Sequence, residues 1–242
     1  MAKWSMVIDL EKCVACQGCS IACRFENNTP VVGPDQALMG RAMRWNDVFP
    51  LPINADEDTG EYPNVTSRYI PRPCMHCENP PCIKVCPVGA TFIDNEGIVE
   101  QNYARCIGCR FCTVACPYGV RYFNWLEPKW EAPLGEHLNP DRVEGEGVLE
   151  GPVVRPRGIV EKCTFCVHRL IKARERAEAE GRDFRADEYV PACVQTCTGK
   201  ARFFGDLDDP ASTVSQLAKS TRAFRVLEEV GTHPKTIYLR EG

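Results

Sequence analysis

The sequence predicts an α+β chain whose core is completed by cysteine ligation rather than by packed aliphatic side chains. Three observations predict it. The 242 residues include 16 cysteines, which fall into four quartets with none left over: Cys13, Cys16, Cys19 and Cys23; Cys74, Cys77, Cys82 and Cys86; Cys106, Cys109, Cys112 and Cys116; Cys163, Cys166, Cys193 and Cys197. Apolar residues, cysteines included, make up 44% of the chain, and without the cysteines the remainder is thin for a conventional core. The 19 prolines and 18 glycines imply many turns, with strand and helix signals scattered between them.

The elements follow in chain order. The opening MAKWSMVIDLEKC has an apolar run too short for a signal-peptide core, and no stretch approaches the ~18 uncharged apolar residues of a membrane span. Residues 30–73 are loop-like, with NADEDTGEYPN as an exposed tip. Between quartets two and three, PVGATFIDNEGIVEQNYAR predicts two short strands about a turn at 94–97. Residues 127–158, rich in proline, glycine and acid, form a surface excursion in which Trp130 is pinned down. The spacing predicts a helix over 164–180, stopped by Gly181. A second helix is expected from Asp209, able to cap it, with Pro210 in the first helical position. KTIYLR near the end reads as a short strand. The net charge of −4, from 29 basic and 33 acidic residues, gives no electrostatic ground for nucleic-acid binding.

The cysteines carry the chemistry. Residues 106–117 read CIGCRFCTVACP, with thiols at offsets 0, 3, 6 and 10. Thiolates are soft ligands that select zinc, copper(I) or iron–sulfur clusters. Zinc sites generally join two separate Cys-x-x-Cys pairs, whereas here three thiols arrive in one turn-rich loop able to wrap three corners of a cubane. The fourth thiol lies on a following helical turn and reaches the neighbouring cluster, and a proline after it redirects the chain. Gly18 and Gly108, each just before a cysteine, let backbone approach closely. Quartets two to four end CPVGA, CPYGV and CTGKA, so Thr198 stands where the others have proline. This favours four [4Fe–4S] clusters over zinc, and over disulfides, which cytosolic synthesis would keep reduced. His76, inside CMHC, is expected beside a ligand or at the surface rather than as a ligand. His168 is expected beside a cluster or an interface, and His137 and His233 are expected to be exposed. The aromatic run YFNWLEPKW either docks a partner or packs over the nearby cysteine turns, and the basic stretch 168–176 reads as a solvated helix face. No nucleophile–histidine–acid set, phosphate loop or catalytic carboxylate pair stands out.

With the fourth quartet split between KCTFCVHR and ACVQTCTGKARFFGDLDDP, the chain resembles the four-cluster electron-transfer subunits of molybdopterin oxidoreductase complexes. That group includes polysulfide, tetrathionate, arsenate and dimethyl sulfoxide reductases and the related part of alternative complex III. MVIDLEKCVACQGCSIACRFEN, CMHCENPPCIKVCPVGAT and GTHPKTIYL carry the same resemblance, while 30–73 and 127–158 carry it least. The resemblance implies two ferredoxin-like modules. One spans 74–126 and holds quartets two and three; it is inserted within a split module formed by 1–73 and 159–242, with 127–158 as a loop-rich excursion. It also implies a ligand set. Cys13, Cys16, Cys19 and Cys197 hold cluster one, and Cys163, Cys166, Cys193 and Cys23 hold cluster two. Cys74, Cys77, Cys82 and Cys116 hold cluster three, and Cys106, Cys109, Cys112 and Cys86 hold cluster four. The expected partners are a large molybdopterin-type catalytic subunit and an integral membrane quinone-reactive subunit. The chain is then non-catalytic and reaches the membrane only through its partners, on a side the sequence leaves open. A free polyferredoxin-type carrier is the alternative of another class, and a zinc-stabilised scaffold a third.

Overall fold

The computed structural model describes residues 2–51, 68–130, 137–140 and 154–240. The expected tip at 54–64 and most of 131–153 lie outside them. In chain order the elements are β1 (Trp4–Asp9), α1 (Gly18–Glu26), α2 (Pro34–Leu38), β2 (Asp47–Pro50), β3 (Tyr69–Arg72), α3 (Pro81–Lys84), β4 (Thr91–Ile93), β5 (Val99–Gln101) and α4 (Phe111–Ala115). They continue as β6 (Tyr122–Phe123), β7 (Val160–Glu161), α5 (Val167–Ala179), α6 (Ala192–Gln195), β8 (Arg202–Asp206), α7 (Thr213–Ala218), β9 (Ala223–Phe224) and β10 (Thr236–Leu239). This is an α+β arrangement of short elements.

The largest sheet joins the two ends of the described chain, in the order β8–β1–β10–β9. β1 runs parallel to β10, with Met6 opposite Thr236, and antiparallel to β8, with Met6 opposite Phe204. All six residues of β1 are buried, because the strand is central and covered on both faces. Met6 and Ile8 face a core that also contains Cys19, Cys23, Cys74, Cys77, Cys163 and Cys193. Val7 faces the other way, onto Ile237, Leu239 and Val214 of α7. Three two-stranded antiparallel sheets, β2–β3, β4–β5 and β6–β7, complete the described strands. The segments bearing quartets one and four meet where α1 packs on α6, and those bearing quartets two and three meet where α3 packs on α4.

The 94–97 turn forms as expected, with Asp94 Oδ1 accepting the N–H groups of Glu96 and Ile98 at 2.9 and 2.7 Å and Gly97 at φ 72°. The strand at 235–240 is β10. The helix expected over 164–180 begins at Val167, because Phe165 and Cys166 are held at φ 54° and 58° by the cysteine turn; it closes at Gly181, φ 65°. The helix expected from Asp209 begins at Thr213 instead. Asp209 spends its side chain on the Ala211 N–H, and Ser212 caps the helix by accepting from Ser215 N–H at 3.1 Å. Residues 30–73 are not all loop, since α2, β2 and β3 lie there. The excursion at 127–158 is not all surface: Arg155 is buried, pairs with Glu161 at 2.7 Å and donates to Asn27 and Asn28 carbonyls. Trp130 is half-buried. Among the described residues no helix is long and apolar enough to cross a membrane.

Candidate metal centres

The four cysteine turns share one backbone device. The residue two after the first cysteine is left-handed in every quartet: Ala15 (φ 53°), His76 (φ 42°), Gly108 (φ 68°) and Phe165 (φ 54°). A positive φ turns the following main chain back over the preceding thiol, at a steric cost the surrounding structure must carry. The His76 N–H then sits 3.5 Å from Cys74 Sγ and the Phe165 N–H 3.4 Å from Cys163 Sγ. At Gly108 the need for glycine is doubly clear, since a Cβ there would lie 1.9 Å from the Gly158 carbonyl oxygen. Gly18 has no such crowding, its nearest contact being 3.5 Å, so the close approach expected there is absent. It occurs instead at Gly199, where a Cβ would meet the Lys12 carbonyl oxygen at 2.5 Å.

A second device serves the fourth cysteine, which in every quartet follows the third by four residues. The N–H four positions on points back at the thiol, at 3.2 Å from Ala90 to Cys86 and 3.3 Å from Ala201 to Cys197, and Val120 serves Cys116 in the same way. Quartet one departs from this. There α1 runs on to Glu26, so the Asn27 N–H is spent on the Cys23 carbonyl at 3.1 Å. The Asn27 side chain substitutes, with Nδ2 3.6 Å from Cys23 Sγ and 4.0 Å from Cys166 Sγ. Thr198, in the place of a proline, brings its hydroxyl within 3.5 Å of Cys16 Sγ.

The thiols gather across quartets. Cys74, Cys77, Cys82 and Cys116 line one small cavity, and Cys86, Cys106, Cys109 and Cys112 line another. Cys23 lies among Cys163, Cys166 and Cys193; burial and then those three thiols push it well above the ordinary thiol value. Cys13 is raised by burial, with Cys19 and Cys197 adding to the effect against the Ala15 N–H and Arg202. Neighbouring groups also touch. Burial, then Cys74 and Cys193, push Cys163 up to about 12. Burial raises Cys193 and Cys112 against opposing arginines, with Cys19 and Cys82 respectively among the thiols that add to it. The four groups therefore adjoin in the order one, two, three, four.

Such sites reject four bare thiolates, because burial and mutual repulsion both disfavour the charge. A cationic core bound among them removes both objections and holds the thiols ionised. The N–H groups already aimed at sulfur favour the same state. Among the described residues no three histidine, cysteine or acidic side chains converge as a single ion requires. Four thiols around one small cavity are the donor set that an iron–sulfur cubane takes. Burial is uneven along the row. All of Cys23, Cys163, Cys166 and Cys193 are buried, as are Cys74, Cys77 and Cys82, whereas Cys16 and Cys109 are exposed. Val14, Ile21 and Phe25 stand exposed on the segment that carries Cys16, and Phe111 and Val114 stand exposed beside Cys109.

The other expected residues sort as follows. His76 is fully buried, stacked on Phe165 at 3.7 Å, and its Nδ1 accepts the Val99 N–H, so the surface position is excluded. His168 is buried against Glu26 at 2.7 Å, while His137 and His233 are exposed. Of the aromatic run, Tyr122 and Phe123 pack onto the core, and Trp125 stays exposed under the guanidinium groups of Arg41 and Arg110. The basic stretch is not wholly solvated, since Arg169 pairs with Glu26. Sequence reasoning passed over Asn27, Arg121 and Arg202; the last two follow the final cysteine of quartets three and four at one common distance, a signal that was there to be read.

A family model described as a 4Fe-4S dicluster domain matches residues 65–138. Over 241 residues the chain is 44% identical to the menaquinone reductase iron–sulfur cluster-binding subunit of Nitratidesulfovibrio vulgaris, covering 98% of this chain and 88% of that protein. It is 40% identical to a selenate reductase subunit of Mesobacillus selenatarsenatis, covering 98% and 72%. It is 39% identical to the arsenate respiratory reductase iron–sulfur subunit of a Shewanella species, covering 97% and 95%.

Proposed function

The chain belongs to the family of iron–sulfur electron-transfer subunits of reductase complexes, and on that premise we propose that it holds four [4Fe–4S] clusters in a row between two partner subunits. Cys13, Cys16, Cys19 and Cys197 would hold the first, and Cys23, Cys163, Cys166 and Cys193 the second. Cys74, Cys77, Cys82 and Cys116 would hold the third, and Cys86, Cys106, Cys109 and Cys112 the fourth. One observation carries the reading: the four thiol groups adjoin in sequence, and exposed cysteines occur only in the first and last. Bound clusters would supply reversible one-electron exchange. The chain's own residues keep water from the two inner groups and donate N–H groups to sulfur. They also leave exposed apolar side chains on the segment that carries Cys16 and beside Cys109, and exposed apolar surface of that kind suits docking rather than free diffusion.

On this reading the split module of 1–73 and 159–242 faces a catalytic subunit of molybdopterin type. The module of 74–126 faces an integral membrane subunit that exchanges electrons with quinone. The relatives' names, which include a menaquinone reductase and an arsenate respiratory reductase, support such complexes. Intact-complex mass spectrometry after gentle membrane extraction tests it. The expected result is a chain bound to a large subunit and a membrane subunit, with as many iron atoms as cysteines, 16 per chain. A loaded chain recovered free of partners would instead identify a soluble carrier, and zinc in place of iron would remove both.

A further inference from the structure

Two arginines occupy matching places in the halves of the molecule. Arg121 closes CPYGVR and Arg202 closes CTGKAR, each five residues past the last cysteine of its quartet. Both are buried, at 6% and 4% exposure. Arg202 Nη2 lies 3.4 Å from Cys19 Sγ and 2.8 Å from Asn46 Oδ1, and Nη1 lies 3.7 Å from Cys193 Sγ. It therefore bridges a thiol of group one and a thiol of group two. Arg121 Nη1 donates to Thr91 Oγ1 at 3.1 Å and Gln101 Oε1 at 3.0 Å. Its buried Nη2 makes no hydrogen bond to oxygen or nitrogen; the guanidinium lines the cavity of Cys74 and Cys82 of group three and also faces Cys112 of group four. Among the described residues neither guanidinium pairs with a carboxylate.

A buried cation without an anion is strongly disfavoured, because burial strips its hydration and nothing replaces it. Arginine does not escape by losing its proton. Among the described residues the anionic partners within reach are the cysteine thiolates and what they would hold, and each arginine faces two groups at once. We propose that Arg121 and Arg202 are paired electrostatic bridges, each serving as the shared counter-cation of the two clusters in its own half and setting their reduction potentials together. A fixed positive charge favours the reduced, more negative cluster, so its removal lowers the potential of both neighbours. This rests on the four-cluster reading, which the iron content of the unaltered complex checks separately.

The test is a redox titration of the intact complex followed by EPR, with Arg202→Gln, Arg121→Gln and the matching lysine variants. Arg202→Gln is expected to disfavour reduction of the clusters of groups one and two at least tenfold, ~59 mV for one electron, and to leave groups three and four unmoved. Arg121→Gln is expected to do the reverse, and each lysine variant to recover most of the shift. If a glutamine variant fails to load, its iron must fall by the two clusters of its own half alone, while the lysine variant loads fully at near-native potentials. Unmoved potentials, a shift in one cluster of a pair only, a shift shared by all four, or a lysine variant as impaired as glutamine would each overturn the proposal.

Discussion

Cys109 and Cys166 are each the second cysteine of a Cys-x-x-Cys turn, and the two turns share a left-handed residue just before that cysteine, Gly108 and Phe165. Yet Cys109 is exposed and Cys166 is buried. The turn is shared up to that residue; what lies around it is not. Cys166 is covered by segments far away in sequence, with Asn27 above it and Cys193 and Cys163 beside it, and burial and then those two thiols push it above the ordinary thiol range. Cys109 instead looks out past Phe111 and Val114. One turn thus builds either an interior site that needs a cationic core to exist or an edge site open to a partner. The position in the fold decides which.

The largest effect tests the interior half of this contrast. The main apolar core contains Cys19, Cys23, Cys74, Cys77, Cys163 and Cys193, so its packing depends on what those thiols hold. Structural metal ligation contributes on the order of 10 kcal/mol in small metal-bound domains. Anaerobic chelation is expected to abolish the cooperative unfolding transition seen by calorimetry. A chelated chain that kept a sharp transition would show that the interior packs without its clusters, and the contrast would lose its energetic meaning.

The two cysteines themselves come next. Cys109→Trp is expected to leave the fold and three clusters intact, to produce a [3Fe–4S] EPR signal in the oxidised protein, and to slow electron exchange with quinone. The change in cluster charge alters the potential, at ~59 mV per tenfold in a one-electron equilibrium. Cys166→Ser is expected to lose its cluster and to destabilise the chain far more, because it opens a buried site. Equal damage from both substitutions, in iron content and unfolding midpoint, would erase the distinction. Cys86→Ala sharpens the same picture within one half. It should strip the cluster shared with Cys106, Cys109 and Cys112, a quarter of the iron, and spare the one among Cys74, Cys77, Cys82 and Cys116. The reverse pattern of spectral loss would refute the exchange of fourth ligands.

The tight cysteine turns were legible in the sequence because a turn is local. The turn at 94–97 and strand β10 were legible for the same reason. Burial was not, since it is a long-range property. Nothing around Cys166 announces that Asn27 will cover it, and nothing in WSMVID says that the first strand lies at the centre of a sheet whose partners come from the last forty or so residues. Helix starts were misread where a competing local demand won: the cysteine turn at Phe165 and Cys166, and the Ser212 cap in place of Asp209. His76 was underestimated because its partner, Phe165, lies in another quartet.

The smallest effect concerns what holds the cover over Cys166. Glu26, the last residue of α1, accepts from His168 Nε2 at 2.7 Å and from Arg169 Nη2 at 2.7 Å, and Arg169 also reaches Gln195 of α6 at 2.8 Å. This clamp ties α1, α5 and α6 across the interior site. Burial works to raise the Glu26 carboxyl, but the His168 and Arg169 hydrogen bonds outweigh it and hold the group at about 2, below its ordinary 4.5. A depressed carboxylate contributes stability that is present in full above the unfolded value and is lost as pH falls through the folded one. The window is therefore about 4.5 down to about 2. Unscreened, the shift would correspond to about 3 kcal/mol; with partial solvent access, about 1–2 kcal/mol is expected. Glu26→Gln should lower the unfolding free energy of the loaded chain, read from denaturant titration, by that amount, and the gap from the unaltered chain should stay level between about pH 8 and about pH 5. A gap that closed within that interval, above the carboxylate's own window, would show that the ionised Glu26 does not hold the cover over Cys166, and the contrast with the exposed Cys109 would then rest on packing alone.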